Sequence, residues 1–158
     1  MSTRNDLASR LALAAVPALA RLSADDLGAL AHAFVVEEYE PGHTFIVEGD
    51  PANEVYILLA GKVEVIRVRG EQTSRLNEMQ PGELFGLIAL IDSNARSASC
   101  RGVGNTTVGV LRRQAYGLLI NSHARIGLAF QRALAAQLAR DFRNLDRQLR
   151  AEVEAPGA

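Results

Sequence analysis

Residues 81–99 of this 158-residue chain read PGELFGLIALIDSNARSAS, in the order glycine turn, apolar run, polar loop, arginine. This order predicts a turn at Pro81-Gly82, a very short apolar helix, a loop, and a strand that begins at Arg96. The first amides of a helix lack intrahelical acceptors and can bind an anion, and the planar arginine fork suits phosphate. The stretch therefore predicts a small phosphate-binding cradle. The alternative is that Arg96 pairs with a surface carboxylate.

On both sides of this stretch, glycine and proline turns recur about every 8–12 residues between Val35 and Arg113. Short runs rich in β-forming residues lie between the turns, at 44–47, 54–59, 62–68, 74–79, 97–101 and 106–111. The residues from Lys62 to Arg67 alternate between polar and apolar, which is typical of a strand with one face in water. Evenly spaced short strands of this kind predict a β-sandwich or barrel.

The N-terminal residues predict helices. An Ala/Leu-rich stretch runs from Leu7 to Val16 and should end near Pro17, because proline lacks the backbone donor. Ser23 precedes two acidic residues and is expected to cap a second helix. That helix carries apolar residues at helical spacing, namely Leu27, Leu30, Ala31 and Phe34.

Helical spacing returns after Arg113, with a short helix around 118–120 and a long helix from about Ala124 to Val153. The long helix has apolar residues spaced 4, 4, 4, 3 and 4 apart: Phe130, Leu134, Leu138, Phe142, Leu145 and Leu149. The last four fit the a/d seam of a coiled coil. The helix either packs on its own barrel or is shared with a second subunit. The second arrangement is favoured, because the stripe continues beyond the expected end of a small barrel.

The composition is that of an ordinary globular protein, with 48% apolar and 22% charged residues and a net charge of −1. This balance argues against a general nucleic-acid-coating protein. No apolar run reaches the ~18–20 residues that span a bilayer. The polar N-terminus and the interrupting Arg10 predict no export signal, and hence a cytoplasmic location. The strong preference for arginine over lysine indicates a GC-rich, bacterial genome.

The cysteine and histidine content predicts no metal or catalytic centre. A single cysteine, Cys100, excludes an internal disulfide and a cysteine-based zinc site, and is expected to be a small buried residue. The histidines at 32, 43 and 123 are far apart in the sequence. An enzyme of the metal-dependent barrel type would need clustered histidines. We therefore expect no enzymatic activity, no cofactor and no metal.

Four blocks carry a family resemblance: 41–50 (PGHTFIVEGD), 55–65 (VYILLAGKVEV), 81–90 (PGELFGLIAL) and 96–99 (RSAS). In this order they resemble the cyclic nucleotide-binding domain of catabolite activators and protein-kinase regulatory subunits. The resemblance implies a mainly β fold with flanking helices, built on an eight-stranded jelly-roll-like barrel (a double-stranded β-helix). It implies a single domain with N-terminal helices at 1–34, a barrel at 35–113 with a phosphate-binding cassette at 81–99, a hinge and long helix at 114–153, and a tail at 154–158.

The resemblance also implies a ligand, a cyclic nucleotide such as cAMP or cGMP. Its expected contacts are Phe85, Gly86, Leu87, Ile88, Ala89, Arg96, Ser97 and Ala98. Arg96 would pair with the cyclic phosphate, the Ser97 hydroxyl would assist, and the amides of Gly86, Ile88 and Ala89 would donate to the ligand. One residue of the long helix would cover the base, and the candidates are Gln131, Gln137, Arg140 and Asn144.

The chain departs from the family pattern at the position that binds the ribose. The family usually has a glutamate there that accepts a hydrogen bond from the 2′-hydroxyl, and this chain has Leu87. A buried hydroxyl without a partner costs about 1–3 kcal/mol, which corresponds to a roughly 5- to 150-fold loss of affinity. Ala95 also replaces a proline and makes the loop less rigid. We expect a weak or altered response, unless Asn94 or Asp92 supplies the missing acceptor.

Two functions remain open from the sequence. The first is a regulatory module in which phosphate binding draws in the cassette, and a hinge around 116–120 lets the long helix close over the ligand. The second is a degenerate domain that acts in dimerisation or protein interaction, or that binds another phosphorylated effector. The expected partners are the nucleotide and either a second copy joined through the long helix or another protein. Direct DNA binding is not expected, because the winged helix-turn-helix of the family's transcription regulators is not found after the long helix, nor is membrane binding expected.

Overall fold

The computed structural model describes Leu13, Ala15, Val16, residues 19–87, residues 94–155 and Gly157. The helix predicted between Leu7 and Val16 therefore falls almost entirely outside the described residues, as do Ile88 and Ala89. The elements, in chain order, are α1 (Ala24–His32), β1 (Val35–Tyr39), β2 (Thr44–Ile46), β3 (Glu54–Arg69), β4 (Gln72–Met79), β5 (Leu84–Phe85), β6 (Ser99–Arg112), α2 (Arg113–Ser122) and α3 (Ala124–Glu154). Within the described residues, no helix is long and apolar enough to cross a membrane.

Helix α1 begins as its sequence predicts. The Ser23 side chain accepts a hydrogen bond from the Asp26 amide at 3.1 Å. Asp25 and Asp26 lie in the first turn, where negative charge is favourable next to the free amides of the helix. Leu30 and Ala31 are buried, so the helix presents its apolar face to the rest of the molecule.

The sheet is antiparallel and is built around two long strands. Its strand order is β1-β6-β3-β4, with β2 also paired to β6 and β5 to β3. β3 covers the predicted runs at 54–59 and 62–68, and β6 covers most of those at 97–101 and 106–111. The described residues form six strands, whereas the family resemblance implied eight. Each long strand bends and continues where the sequence predicts a break, so two predicted runs join into one strand.

Gly61 lies at the bend of β3, where the register with β6 shifts on both sides of Ala60. Its φ of +90° is a backbone conformation that side chains rarely adopt, and an added Cβ would lie 2.4 Å from the carbonyl oxygen of Asn105. The glycine therefore bends the strand without ending it. This explains why a residue that is typical of turns lies inside a 16-residue strand.

The core has two parts, one on each face of β3. Val55 and Ile57 pack against the helices, together with Phe130 and Leu134 of α3. Tyr56 and Leu58, which alternate with them along β3, belong to a second cluster inside the barrel. Its other members include Val63, Met79, Phe85, Cys100, Val108 and Val110. This alternation is the period-two pattern of a strand that is buried on both faces.

Helix α3 changes its environment about halfway along. Its first half is buried against the core through Ile126, Phe130, Ala133 and Leu134. Beyond Leu138, the apolar stripe is exposed at Phe142, Leu145, Leu149 and Val153, with exposed fractions of 70%, 43%, 53% and 84%. The first half thus packs on its own barrel, and the second half has an apolar face that the described part of the chain does not cover.

Candidate functional site

A cavity of about 530 Å³ lies between the barrel and helix α3. The barrel contributes residues from β2, β3, β4, β5 and β6, and the helix contributes Leu138, Asp141, Phe142 and Leu145. Most of the lining is apolar. The polar groups are Arg67, Asn77, Arg96, Ser97 and Asp141. A largely apolar cavity of this size with a few convergent polar groups has the character of a small-molecule site.

The fold brings together six of the eight residues expected at the ligand site. Phe85, Gly86, Leu87, Arg96, Ser97 and Ala98 all line this one cavity. The other two, Ile88 and Ala89, lie outside the described residues. Arg96 is close to Gly86 in space because residues 94–97 run beside the turn at Gly49–Asp50. There, Gly49 donates to the Arg96 carbonyl at 2.9 Å and the Arg96 amide donates to the Asp50 carbonyl at 3.0 Å.

The Arg96 side chain is buried, with 7% of its surface exposed. Its Nη1 donates to the Gly86 carbonyl at 2.8 Å, and its Nη2 donates to the Glu54 carbonyl at 2.7 Å. No carboxylate lies within 4.0 Å of it in the described part of the chain, so the surface ion pair considered from the sequence does not form there. Two carbonyls hold the guanidinium in place, and no described residue supplies a counter-ion for its charge. A buried cation in this state favours an anionic ligand.

Gly86 allows this arginine to come close. The residue has a φ of +77°, and a Cβ added to it would lie 2.8 Å from Arg96 Nη1 and 2.8 Å from Ile46 Cδ1. Any side chain at this position would therefore strain the backbone and displace the guanidinium. The glycine thus positions Arg96.

A second arginine, Arg67 of β3, supports the loop that follows Arg96. Its Nη2 donates to the Ser97 carbonyl at 3.2 Å, and its Nε lies 3.9 Å from a carboxylate oxygen of Glu48. Glu48 is also held by two hydrogen bonds from Arg69, each 3.0 Å long, which together with nearby positive charge lower the pKa of this carboxyl. No local signal in the sequence predicts that Arg67 lies at the site. Its contact with Ser97 depends on a pairing between segments 30 residues apart.

The helix residues that face the cavity are not the ones proposed from the sequence as covering the base. Gln131, Gln137, Arg140 and Asn144 are absent from the cavity lining, which on α3 consists of Leu138, Asp141, Phe142 and Leu145. Gln131 instead donates to the Tyr116 hydroxyl at 3.3 Å. Asn144 accepts a hydrogen bond from Arg147. The cavity-facing side of α3 is the side that carries the predicted apolar stripe, because Leu138, Phe142 and Leu145 belong to both. Asp141 lies on the same side.

Leu87 belongs to the hydrophobic core as well as to the cavity wall. It is 3% exposed and lies in the same cluster as Leu84, Phe130 and Leu134. Asn94, a candidate for replacing the ribose acceptor, is exposed and lies outside the cavity lining. The other candidate, Asp92, is outside the described residues.

Cys100 is buried, as the sequence predicts, and it also lines the cavity. Burial raises the pKa of its thiol to about 12, so the thiol is neutral at physiological pH. His43 stacks on Tyr39 at a ring-centroid distance of 3.9 Å. Among the described residues, no three His, Cys, Asp or Glu side chains are grouped in a way that could hold a metal ion.

Comparison with known proteins places this fold and cavity in a family. Residues 36–123 match the family model of the cyclic nucleotide-binding domain. The chain is 38% identical to the cyclic AMP receptor protein of Thermus thermophilus, over 70% of this chain and 50% of that protein. It is 32% identical to the cAMP-dependent protein kinase regulatory subunit of Pyricularia oryzae, over 66% of this chain and 26% of that protein. The chain thus spans half or less of the length of these relatives.

Solved structures agree with this match. A cyclic nucleotide-binding domain from Methylobacillus flagellatus superposes with a TM-score of 0.84 at 22% identity, over 98% of this chain and 86% of that one. The catabolite activator protein of Thermus thermophilus superposes with a TM-score of 0.72 at 31% identity, over 87% of this chain and 63% of that one. The expected mainly β jelly-roll fold with flanking helices is confirmed. This chain belongs to the cyclic nucleotide-binding domain family.

Proposed function

We propose that this chain is a cytoplasmic regulatory module that binds a cyclic nucleotide in the cavity between the barrel and α3. The observation that carries the proposal is Arg96, a buried guanidinium that two carbonyls hold at the cavity wall without a carboxylate within 4.0 Å in the described residues. A cyclic phosphate would supply the missing negative charge. The proposal includes no catalytic step, no cofactor and no direct contact with DNA or membrane.

The phosphate would bind beside Arg96 and Ser97. A guanidinium has five N–H donors, and the two carbonyls account for two of them. Within the described residues, the remaining donors and the Ser97 hydroxyl have no other partner, so we propose that they bind phosphate oxygens. Arg67 holds the backbone of Ser97 through its carbonyl. The Ile88 and Ala89 amides remain proposed contacts by resemblance to the family.

The sugar and the base would occupy the apolar part of the cavity. Leu87 cannot accept a hydrogen bond from the ribose 2′-hydroxyl, so the binding of a ribonucleotide is expected to be weaker than in relatives with a glutamate there. Met79, Leu138 and Phe142 provide apolar surface against which a base can pack. Affinity in this arrangement depends on phosphate and base contacts rather than on sugar contacts.

Signalling would follow from the contribution of α3 to the cavity wall. A ligand that touches both the cassette and α3 stabilises the arrangement in which the helix covers the site. It can shift the equilibrium between conformations only by its differential affinity for them. Residues 116–120 of α2 lie just before α3 and are the proposed hinge.

Calorimetric titration with cAMP and cGMP, up to millimolar concentrations, tests the proposal. We expect saturable binding to the unchanged protein, and a loss of more than about ten-fold in Arg96→Gln. The matched control is Arg75→Gln, which removes an exposed arginine whose ion pair is with Glu78 on the same strand. Arg96→Lys keeps the positive charge but lacks the forked geometry of the guanidinium. Circular dichroism checks that both Arg96 variants are folded. Equal binding by wild type and both Arg96 variants, or no binding to the wild type, would overturn the proposal.

A second candidate function is dimerisation through α3. The observation that favours it is the exposed stripe of Phe142, Leu145, Leu149 and Val153, whose spacing fits a helix–helix seam. The two functions are compatible, because Phe142 and Leu145 belong to both the stripe and the cavity wall. A dimer without any nucleotide binding would make the chain an interaction module only.

A further inference from the structure

The cavity wall contains a second arginine, Arg67 of β3, in addition to Arg96. Its guanidinium donates from Nη2 to the Ser97 carbonyl at 3.2 Å. The side chain is partly exposed, but its Nε is buried and has no hydrogen-bond partner within the described part of the chain. A buried N–H of a charged group that has no acceptor is unfavourable, so this side of Arg67 favours an acceptor on a ligand.

The nearby carboxylate of Glu48 is already paired with another arginine. One of its oxygens lies 3.9 Å from Arg67 Nε, which is beyond hydrogen-bond distance. Both of its oxygens accept hydrogen bonds of 3.0 Å from Arg69, and these bonds are the main cause of the lowered pKa of Glu48. Arg69 therefore balances the charge of Glu48, and Arg67 remains an additional positive charge at the cavity wall.

Asp141 is the one carboxylate among the described lining residues, and it forms no ion pair within 4.0 Å with either arginine of the lining. Its Oδ1 accepts hydrogen bonds from Gln137 Nε2 at 3.0 Å and from Asn77 Nδ2 at 3.5 Å. Burial raises the pKa of this carboxyl above its ordinary value, so its negative charge is disfavoured there. The described lining thus has two cations and one disfavoured anion, and a ligand with more than one negative charge complements it.

Ser97 brings the two arginines to the same part of a ligand. Its hydroxyl belongs to the proposed phosphate site beside Arg96, and its carbonyl accepts the hydrogen bond from Arg67. A phosphate bound at Ser97 therefore lies next to both guanidinium groups. The cyclic phosphodiester of cAMP has a single negative charge, whereas a phosphomonoester has a charge of about −1.5 to −2 at pH 7.

We propose that Arg67 is a second anion-binding residue of this cavity, and that the site binds a nucleoside 5′-monophosphate more tightly than the corresponding cyclic nucleotide. Addition of water across the P–O3′ bond of cAMP gives 5′-AMP, which has a free 3′-hydroxyl and a second ionisable oxygen on the phosphate. The module would therefore respond to the product of cyclic nucleotide hydrolysis as well as to the cyclic nucleotide. This inference rests on the proposed function, because it places the phosphate at Arg96 and Ser97.

Calorimetric titration of the wild type with cAMP, 5′-AMP and the methyl phosphate ester of 5′-AMP tests the proposal. The ester has the open ring of 5′-AMP and the single charge of cAMP, so it separates the effect of the charge from that of ring opening. We expect 5′-AMP to bind about ten-fold or more tightly than the ester, because a hydrogen bond between charged groups has that strength. We also expect 5′-AMP to bind more tightly than cAMP.

Arg67→Gln should reduce the difference between 5′-AMP and the ester to within about two-fold, because glutamine has no charge. It keeps a donor for the Ser97 carbonyl, so the loop after Arg96 retains this support. Arg75→Gln is the matched control, because Arg75 is an exposed arginine of the adjacent strand β4 that pairs with Glu78 and lies outside the cavity lining. The control should keep the preference for 5′-AMP.

The inference is wrong if the wild type binds 5′-AMP no more tightly than the ester, or less tightly than cAMP. It is also wrong if Arg67→Gln keeps the preference, or if Arg75→Gln loses it as well. In each of these cases, saturable binding of cAMP leaves the proposed function standing. If none of the three ligands binds the wild type, the proposed function and the inference both fail. The wild-type comparison needs no variant, so a folding defect in Arg67→Gln would not remove the test.

Discussion

At the scale of single residues, Leu87 determines what the cavity can offer to a ribose. Its side chain is buried in the core beside Phe130 and Leu134, and it has no polar atom. We therefore predict that 2′-deoxy-cAMP binds about five-fold or more tightly than cAMP, because only cAMP leaves a buried hydroxyl without a partner at this position. Competition titration measures the ratio. A preference for cAMP of ten-fold or more would mean that another group accepts from the 2′-hydroxyl.

The same burial means that a glutamate cannot simply be restored at position 87. Leu87→Glu would place a carboxylate in the apolar cluster, and we expect the free energy of unfolding to fall by about 2–5 kcal/mol. Urea denaturation measures the change. Leu87→Met is the control of similar volume and should cost less than about 1.5 kcal/mol. An unchanged stability in Leu87→Glu would show that the new side chain reaches the cavity instead of the core.

Asp141 should make the stability depend on pH. Burial raises its pKa in the folded protein, so the folded state binds a proton more tightly than the unfolded state does. The contribution of this group to stability is therefore present below the ordinary pKa and is lost as the pH rises through the folded-state pKa. We predict that the stability of wild type relative to Asp141→Asn decreases between pH of about 3.8 and neutral pH. Denaturation curves across that range would contradict this if the difference stayed constant or increased.

At the scale of elements, helix α3 joins the ligand site to a free apolar face. Leu149 lies on the exposed stripe beyond the cavity, so it can be changed without touching the lining. If α3 mediates dimerisation, Leu149→Glu should give a monomer, because it buries a charge in the interface. Gln148→Glu introduces the same charge at the neighbouring exposed position and should leave the dimer intact. Light scattering would contradict this account if wild type is monomeric or Leu149→Glu remains dimeric.

The helices and most strands of the described residues could be predicted from the sequence, because capping residues and the periodicity of apolar positions are local signals. Ser23 and the apolar spacing of α3 are examples. The continuity of β3 through Gly61 could not, since it depends on pairing with β6 more than 35 residues away in the chain. Strand β1 was also not predicted as a separate run. Its residues, Val35–Tyr39, do not alternate clearly between polar and apolar side chains, and the strand is defined by its pairing with β6.

The candidate site was predictable where the residues are close in sequence. Gly86, Leu87 and Arg96 lie in one stretch of chain and line one cavity. Asp141, Asn77 and Arg67 were not predicted, because their approach to that stretch is set by the packing of α3 and β4 on the barrel. The sequence also could not choose the helix residue that faces the cavity, since the rotation of a helix about its axis is decided by tertiary contacts. The buried end of α3 turns Gln137 inward and leaves Asp141 at the cavity.

At the scale of the whole molecule, we propose that the cavity under α3 is the nucleotide site and that Arg96 binds the phosphate. The first half of α3 belongs to the core and the second half covers the cavity. A ligand there would contact the cassette and the helix at once, and so link the barrel to the exposed stripe. Binding at any other surface would leave α3 without a part in the response.

The most direct measurement is a map of NMR chemical-shift changes in the isotope-labelled protein during titration with cGMP and cAMP. We predict the largest changes at residues 85–87, 96–100 and 138–145, with little change in α1, which lies away from the cavity lining. A map centred on another surface, such as the open cleft beside Asn53 and Arg113, would contradict the account. So would a spectrum that does not change at saturating nucleotide.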